Sequence, residues 1–82
     1  MGDNDPARSL SIAEYILQLK PGDIGARKIR AYNLKKLDDT DGARAEYESL
    51  YQDLERLQKE GGEVAGKLAE ELRFIKSKID SL

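Results

Sequence analysis

Neither cysteine nor histidine occurs among the 82 residues, and the two absences close off a large part of protein chemistry. Without cysteine, no disulfide framework and no thiolate metal site can hold so short a chain together. Without histidine, the commonest general base and metal ligand is missing. Proline occurs twice and no alternating run rich in Val, Ile and Thr is present, so the chain does not read as a sheet protein. The longest unbroken apolar runs are three residues, Tyr15-Ile16-Leu17 among them, far below the length of a membrane-spanning helix. The first residues are acidic and carry neither the basic start nor the apolar stretch of a signal peptide. Gly2 does not begin a myristoylation motif, because Pro6 stands where that motif needs Ser or Thr. A cytoplasmic location is the resulting expectation.

Little is left for catalysis. Five serines and one threonine supply hydroxyls, but no activating partner stands at an informative spacing from them. Gly61-Gly62 lacks the following Lys and Ser/Thr that complete a phosphate-binding loop. Glu70 and Glu71, adjacent on a helix, point about 100° apart and cannot share a substrate. The acidic turn near residue 40 invites a calcium test: Asp39, Asp41, Gly42 and Glu48 would fall on positions 3, 5, 6 and 12 of an EF-hand loop. Position 1, an essential acidic ligand, would be Leu37, and the apolar position 8 would be Arg44. Helix capping accounts for these acids more simply. The chain reads as a non-enzyme with no catalytic residue, no cofactor and no metal.

What is abundant is charge, and its distribution says more than the net value of −2. Residues 24–37 carry five bases (Arg27, Lys28, Arg30, Lys35 and Lys36) and no acid. Residues 38–60 carry three bases and eight acids, so a strongly basic segment is followed directly by a strongly acidic one.

Punctuation divides the chain into four helical segments in one domain spanning residues 6–82, behind a flexible tail at 1–5. Asp5 can cap orphan N–H groups, and Pro6 loses nothing at the first helical position. The first helix is expected over about 6–20 and ends before Pro21. With Asp23 as N-cap, a second helix is expected over about 24–37. The run Asp38-Asp39-Thr40-Asp41-Gly42 is a turn rich in capping side chains. A third helix is expected over about 41–59, broken at Gly61-Gly62, and a fourth over about 63–81.

The last two helices have the cleanest periodicity. Ala43, Tyr47, Leu50, Leu54 and Leu57 are spaced 4-3-4-3, and Leu68, Leu72, Ile75, Ile79 and Leu82 repeat that spacing. Each set forms one apolar stripe, as a packed helical pair requires, and the short connection predicts an antiparallel hairpin. The first helix differs. Leu10, Ile12, Ala13, Tyr15, Ile16, Leu17 and Leu19 cover most of its circumference, leaving only Ser11, Glu14 and Gln18 as a polar stripe. A chain this short cannot wrap such a helix, so Ile12, Ile16 and Leu19 are the candidate oligomer interface, in a homodimer or in a larger assembly.

The segment from Ile16 to Asp23 closes a helix with a leucine-rich turn followed by a proline. If a 34-residue repeat register is continued from Pro21, the next unit starts at Ile24. Small residues then fall at Ala31 and Ala43, a large apolar residue at Leu34 and an aromatic at Tyr47. In these features the chain resembles the tetratricopeptide repeat family, and the Asp38-Asp39 turn resembles the family's Gly-Asp turn with Asp in place of Gly. The resemblance covers residues 9–57, half a repeat and one degenerate repeat, with the last helix as a cap. Four departures stand out: Arg27 and Arg30 replace an aromatic and a leucine, Leu50 occupies a small-residue position, and the closing proline is missing.

The fold is therefore expected to be all-α, either a tetratricopeptide-like antiparallel stack or a plain small bundle of four helices. In that family the first helix of each repeat lines a peptide-binding groove, and the groove-facing positions fall here on Gly25, Lys28, Tyr32, Lys35 and Lys36. The resemblance thus implies a protein-interaction module in which Lys28, Tyr32, Lys35 and Lys36 bind an acidic peptide or protein. Three other accounts of the sequence remain open. The basic helix can simply lie against the acidic third helix, with little gained per exposed pair. The chain can be a self-assembly element. Nucleic-acid binding is the most distant, because the net charge and the neighbouring acidic helix oppose it.

Overall fold

In the computed structural model the described residues are 5–61 and 65–82. Among them are four α-helices and no strand: α1, Pro6–Leu19; α2, Ile24–Lys36; α3, Thr40–Glu60; and α4, Ala65–Asp80. The fold is all-α. Its residues group into two compact units, Met1–Glu46 and Tyr47–Leu82, with the division falling inside α3. Except for Asp5, the expected N-terminal tail lies outside the described residues, as do Gly62 and the expected start of the fourth helix at Glu63. No helix among the described residues is long and apolar enough to cross a membrane.

In the first unit, aspartates set where the helices begin. Asp5 Oδ1 accepts from the Ala7 and Arg8 amides at 3.1 and 3.4 Å, with Pro6 in the first turn. Lys20, Pro21, Gly22 and Asp23 form a turn closed by the Asp23 amide donating to the Lys20 carbonyl at 3.0 Å, and Pro21 presets the backbone angle that such a turn needs. Asp23 then caps α2, its Oδ2 accepting from the Ala26 amide at 2.9 Å. α1 and α2 pack as a hairpin on this turn. Ala13 and Ala31 are fully buried and Ala26 nearly so, and side chains this small let two helix backbones approach closely.

The end of α2 and the start of α3 are joined within three residues. The Asp39 amide donates to the Leu34 carbonyl at 2.9 Å and the Asp38 amide to the Lys35 carbonyl at 3.0 Å. These are the two bonds of a Schellman motif, which places its C′ residue in the left-handed region. That residue is Asp38, with φ +67°, where glycine is the usual choice. α3 starts at Thr40, a residue earlier than the sequence suggested, because Asp39 is the cap: its Oδ1 accepts from the Gly42 amide at 2.9 Å. A Cβ at Gly42 would lie 2.5 Å from Asp39 Oδ2, so the glycine makes room for the capping carboxylate.

The second unit is built on the expected stripes. Tyr47, Leu50 and Leu54 of α3 and Leu68, Leu72 and Ile75 of α4 are buried. The stripes fade towards the helix ends, with Leu57 exposed and Ile79 and Leu82 half-buried. Glu48, Tyr51, Gln52 and Glu55 line one groove with Lys76, Ile79 and Asp80. The earlier part of α3 thus lies beside the last turns of α4, and the pair is antiparallel. Gly61, at φ +80°, terminates α3 in the left-handed region.

Truncating the buried leucines Leu54→Ala and Leu72→Ala should each lower stability by about 2–5 kcal/mol in urea unfolding. Lys59→Ala, at the exposed end of α3, should leave the midpoint almost unchanged; equal small effects from all three would mean that these stripes do not form the core.

Candidate functional site

α2 carries the five bases with no acid, and packing sorts them by side-chain type. Arg27, Arg30, Ala31 and Leu34 follow one another at helical spacing, so the two arginines share the face that carries the apolar residues. Arg27 Nε donates to Glu46 Oε2 at 3.2 Å, with the two side chains only 12% and 15% exposed. Arg30 Nη1 lies 3.5 Å from the other oxygen of the same carboxylate. The Arg30 Nε is buried without a hydrogen-bond partner and faces Glu14 Oε2 of α1 at 3.9 Å. One carboxylate on α3 therefore joins two arginines of α2, and the second arginine reaches α1. On the same helix Asn33 is buried, its Nδ2 donating to the Ile29 carbonyl at 2.8 Å, which satisfies the amide within the helix.

The lysines are arranged differently. Tyr32, Lys35 and Lys36 are exposed and Lys28 is half-buried. Lys36 Nζ sits 5.0 Å from the Tyr32 ring centroid, a cation–π arrangement that holds the ring and the ammonium on one surface. Ile29 is also exposed beside them and enlarges the apolar part of this face. The four residues singled out from the sequence, Lys28, Tyr32, Lys35 and Lys36, thus lie on a single side of α2 as a cationic, aromatic surface. No family model, no curated protein and no solved structure matches this chain.

The second set, Ile12, Ile16 and Leu19 on α1, is divided by the fold. Ile16 is half-buried on the side of the fully buried Ala13. Ile12 and Leu19 are 56% and 66% exposed, and Tyr15 stands between them at 61%. The open apolar stripe of α1 is therefore Ile12, Tyr15 and Leu19. Only tertiary packing separates the inner from the outer residues of a helix that is apolar nearly all round.

Among the described residues no three His, Cys, Asp or Glu side chains come together as a metal-binding group. The acids of the residue-40 turn work on the backbone, Asp39 as a cap and Asp38 at the left-handed position. The repeat register singles out Lys28, Lys35 and Lys36 as the partner-facing bases and leaves Arg27 and Arg30 as departures; what it misses is the pairing of those arginines with Glu46. The available signal was the spacing of Arg27 and Arg30, which places them in line with Ala31 and Leu34.

Breaking a largely buried ion pair from one side strands the other charge, whereas replacing all its members with apolar groups is often close to neutral. Glu46→Ala should therefore destabilise the protein by about 3 kcal/mol. The triple replacement Arg27→Met, Arg30→Met and Glu46→Leu should recover most of that loss. Thermal unfolding of the two variants beside the wild type measures both effects.

Proposed function

We propose that this chain is a protein-interaction module that uses the outward face of α2, Lys28, Tyr32, Lys35 and Lys36, to bind an acidic peptide or an acidic protein surface. The observation that carries the proposal is the sorting of charge on α2. The arginines are engaged by Glu46 and Glu14, while Tyr32, Lys35 and Lys36 are left in solvent. An aromatic ring among ammonium groups offers apolar contact, and the lysines supply an attraction that salt weakens. The same sorting counts against a nucleic-acid site, because the guanidinium groups suited to phosphate are turned inwards.

The tetratricopeptide register lends further support. Ala31 and Ala43, at small-residue positions, are fully buried, and the aromatic Tyr47 is buried too. Asp38, at the position of the family's turn glycine, holds the left-handed conformation that glycine favours. The Arg27 and Arg30 departures have a physical account in Glu46 and Glu14, which pair with them where the family places an aromatic and a leucine. Leu50 remains a departure: it is buried where the family takes a small residue.

A second function, self-assembly through α1, draws support from the exposure of Ile12, Tyr15 and Leu19. Burying a large apolar side chain stabilises by about 1.5–3 kcal/mol, so such a stripe favours any contact that covers it. An assembly formed this way carries no charge at its centre and should persist in high salt. Replacing Ile12 and Leu19 with Ser should reduce the mass seen by light scattering to that of one chain, and a wild type that is monomeric at every concentration rules this assembly out.

For the lysine face, reversing Lys28, Lys35 and Lys36 to Glu should abolish binding of a glutamate-rich peptide while circular dichroism shows unchanged helix content. Unfolding of the variant would mean that the lysines serve the fold. Unchanged binding would mean that the face is only solvated.

A further inference from the structure

The second unit carries an acidic groove that no role described above uses. α3 and α4 enclose an open space of about 510 Å³ with Tyr51 and Ile79, both half-buried, as its floor. Glu48, Gln52 and Glu55 stand exposed on the α3 side, and Lys76 and Asp80 on the α4 side. Three acids and one base give the lining a net charge of −2. That charge is unevenly placed. Because the two helices are antiparallel, Glu48 and Asp80 share one end of the groove, while Lys76 stands with Glu55 towards the other.

The fold does not balance these acids. Among the described residues Glu48, Glu55 and Asp80 form no ion pair, in contrast to Glu46 and Asp53. Asp80 is the last residue of α4, where the helix dipole disfavours an anion. Glu48 at the same end of the groove adds a like charge. The aromatic floor is open in the same sense. Lys36 lies over the Tyr32 ring at 5.0 Å and Lys78 over the Phe74 ring at 5.3 Å, so other rings of this chain already hold a cation. Among the described residues none is placed over Tyr51, although the groove around it is acidic.

We propose that the α3/α4 groove binds a basic peptide segment of a partner protein. A Lys or Arg side chain of the segment sits at the Glu48 and Asp80 end beside the Tyr51 ring, and a neighbouring aliphatic side chain lies against Ile79. Charge selects this occupant: a cation relieves two like charges that the chain leaves unpaired, whereas an acidic segment is repelled by them. The long stem of a basic side chain also covers apolar surface while its head reaches a carboxylate. The groove is separate from the lysine face of α2 and opposite in preference, so this proposal does not depend on that one.

The probe is a short, end-blocked, fluorescein-labelled peptide of lysines and glycines with one central leucine. Fluorescence anisotropy at low ionic strength should show it binding the wild type, and added salt should weaken the binding. Glu48→Gln with Asp80→Asn should bind at least about tenfold more weakly. Relieved of like charges, this variant should unfold at a temperature no lower than the wild type. Glu60→Gln with Glu70→Gln makes the same change in net charge at two exposed acids outside the groove. It should bind within about twofold of the wild type, because solvent screens distant charges. A peptide with serine in place of its leucine should bind the wild type at least about threefold more weakly, through loss of the apolar contact. Should the groove variant lose helix content, Asp80→Asn alone is compared with Glu70→Gln alone, and the same order is expected.

A wild type that does not bind the peptide overturns the proposal. Equal losses in the groove and control variants do the same, because the attraction is then one of net charge. So does equal binding of the leucine and serine peptides, which means that Tyr51 and Ile79 are not a floor for any ligand. A groove variant that unfolds at a lower temperature than the wild type assigns the two acids to the fold, and the proposal falls.

Discussion

Glu46 is the group on which the arrangement of the first unit depends. Arg27 and Arg30 lie on the face of α2 that also carries Ala31 and Leu34, so packing that face removes two guanidinium groups from much of their water. Uncompensated, such burial is strongly unfavourable. The Glu46 carboxylate has two oxygens and meets both arginines, at 3.2 and 3.5 Å. Through Arg30 the same cluster reaches Glu14 on α1, at 3.9 Å. A pair with this degree of burial adds less to net stability than an apolar core, but it penalises any packing that separates its members. The ion pairs therefore act chiefly on which packing is adopted.

The local geometry at the helix ends explains why so many acids sit in turns. Asp5, Asp23 and Asp39 each accept from backbone amides at the start of a helix, where those amides have no intrahelical partner and a negative charge is favoured by the helix dipole. Asp38 is less comfortable: at φ +67° it holds a conformation that L-residues with a Cβ adopt reluctantly. It is kept there by the paired bonds from its own amide and from Asp39 to the carbonyls of Lys35 and Leu34. With α2 ended and α3 begun in so few residues, Glu46 comes less than two turns into α3, within reach of Arg27.

Sorting the charges inwards and outwards also shapes the surfaces on which the proposed functions rest. Pairing the arginines with glutamates engages the most strongly hydrogen-bonding cations of α2 and leaves Lys35 and Lys36 exposed beside Tyr32. An ammonium on a long stem suits a weak, salt-sensitive contact better than a rigid bidentate one. α1 presents an uncharged stripe of Ile12, Tyr15 and Leu19, and the α3/α4 groove presents acids around an aromatic floor.

The sequence by itself determined the helices. Asp5-Pro6, Pro21, Asp23 and the glycine after α3 act within a few residues of themselves, through caps, a preset backbone angle and a left-handed φ. The boundaries they imply therefore agree with the structure to within a residue or two wherever residues are described. The stripe through Tyr47, Leu50 and Leu54 and that through Leu68, Leu72 and Ile75 were legible for a related reason: a 4-3 spacing leaves a helix only one apolar side to bury. Tertiary structure alone decided matters in which local pattern was ambiguous. α1 is apolar nearly all round, so its periodicity could not separate Ile16, which turns inwards, from Tyr15, which stays in solvent. Likewise five bases in α2 look alike as a count of charge. Glu46, sixteen residues beyond Arg30 in sequence but beside it in space, engages the arginines, while Lys35 and Lys36 stay in solvent.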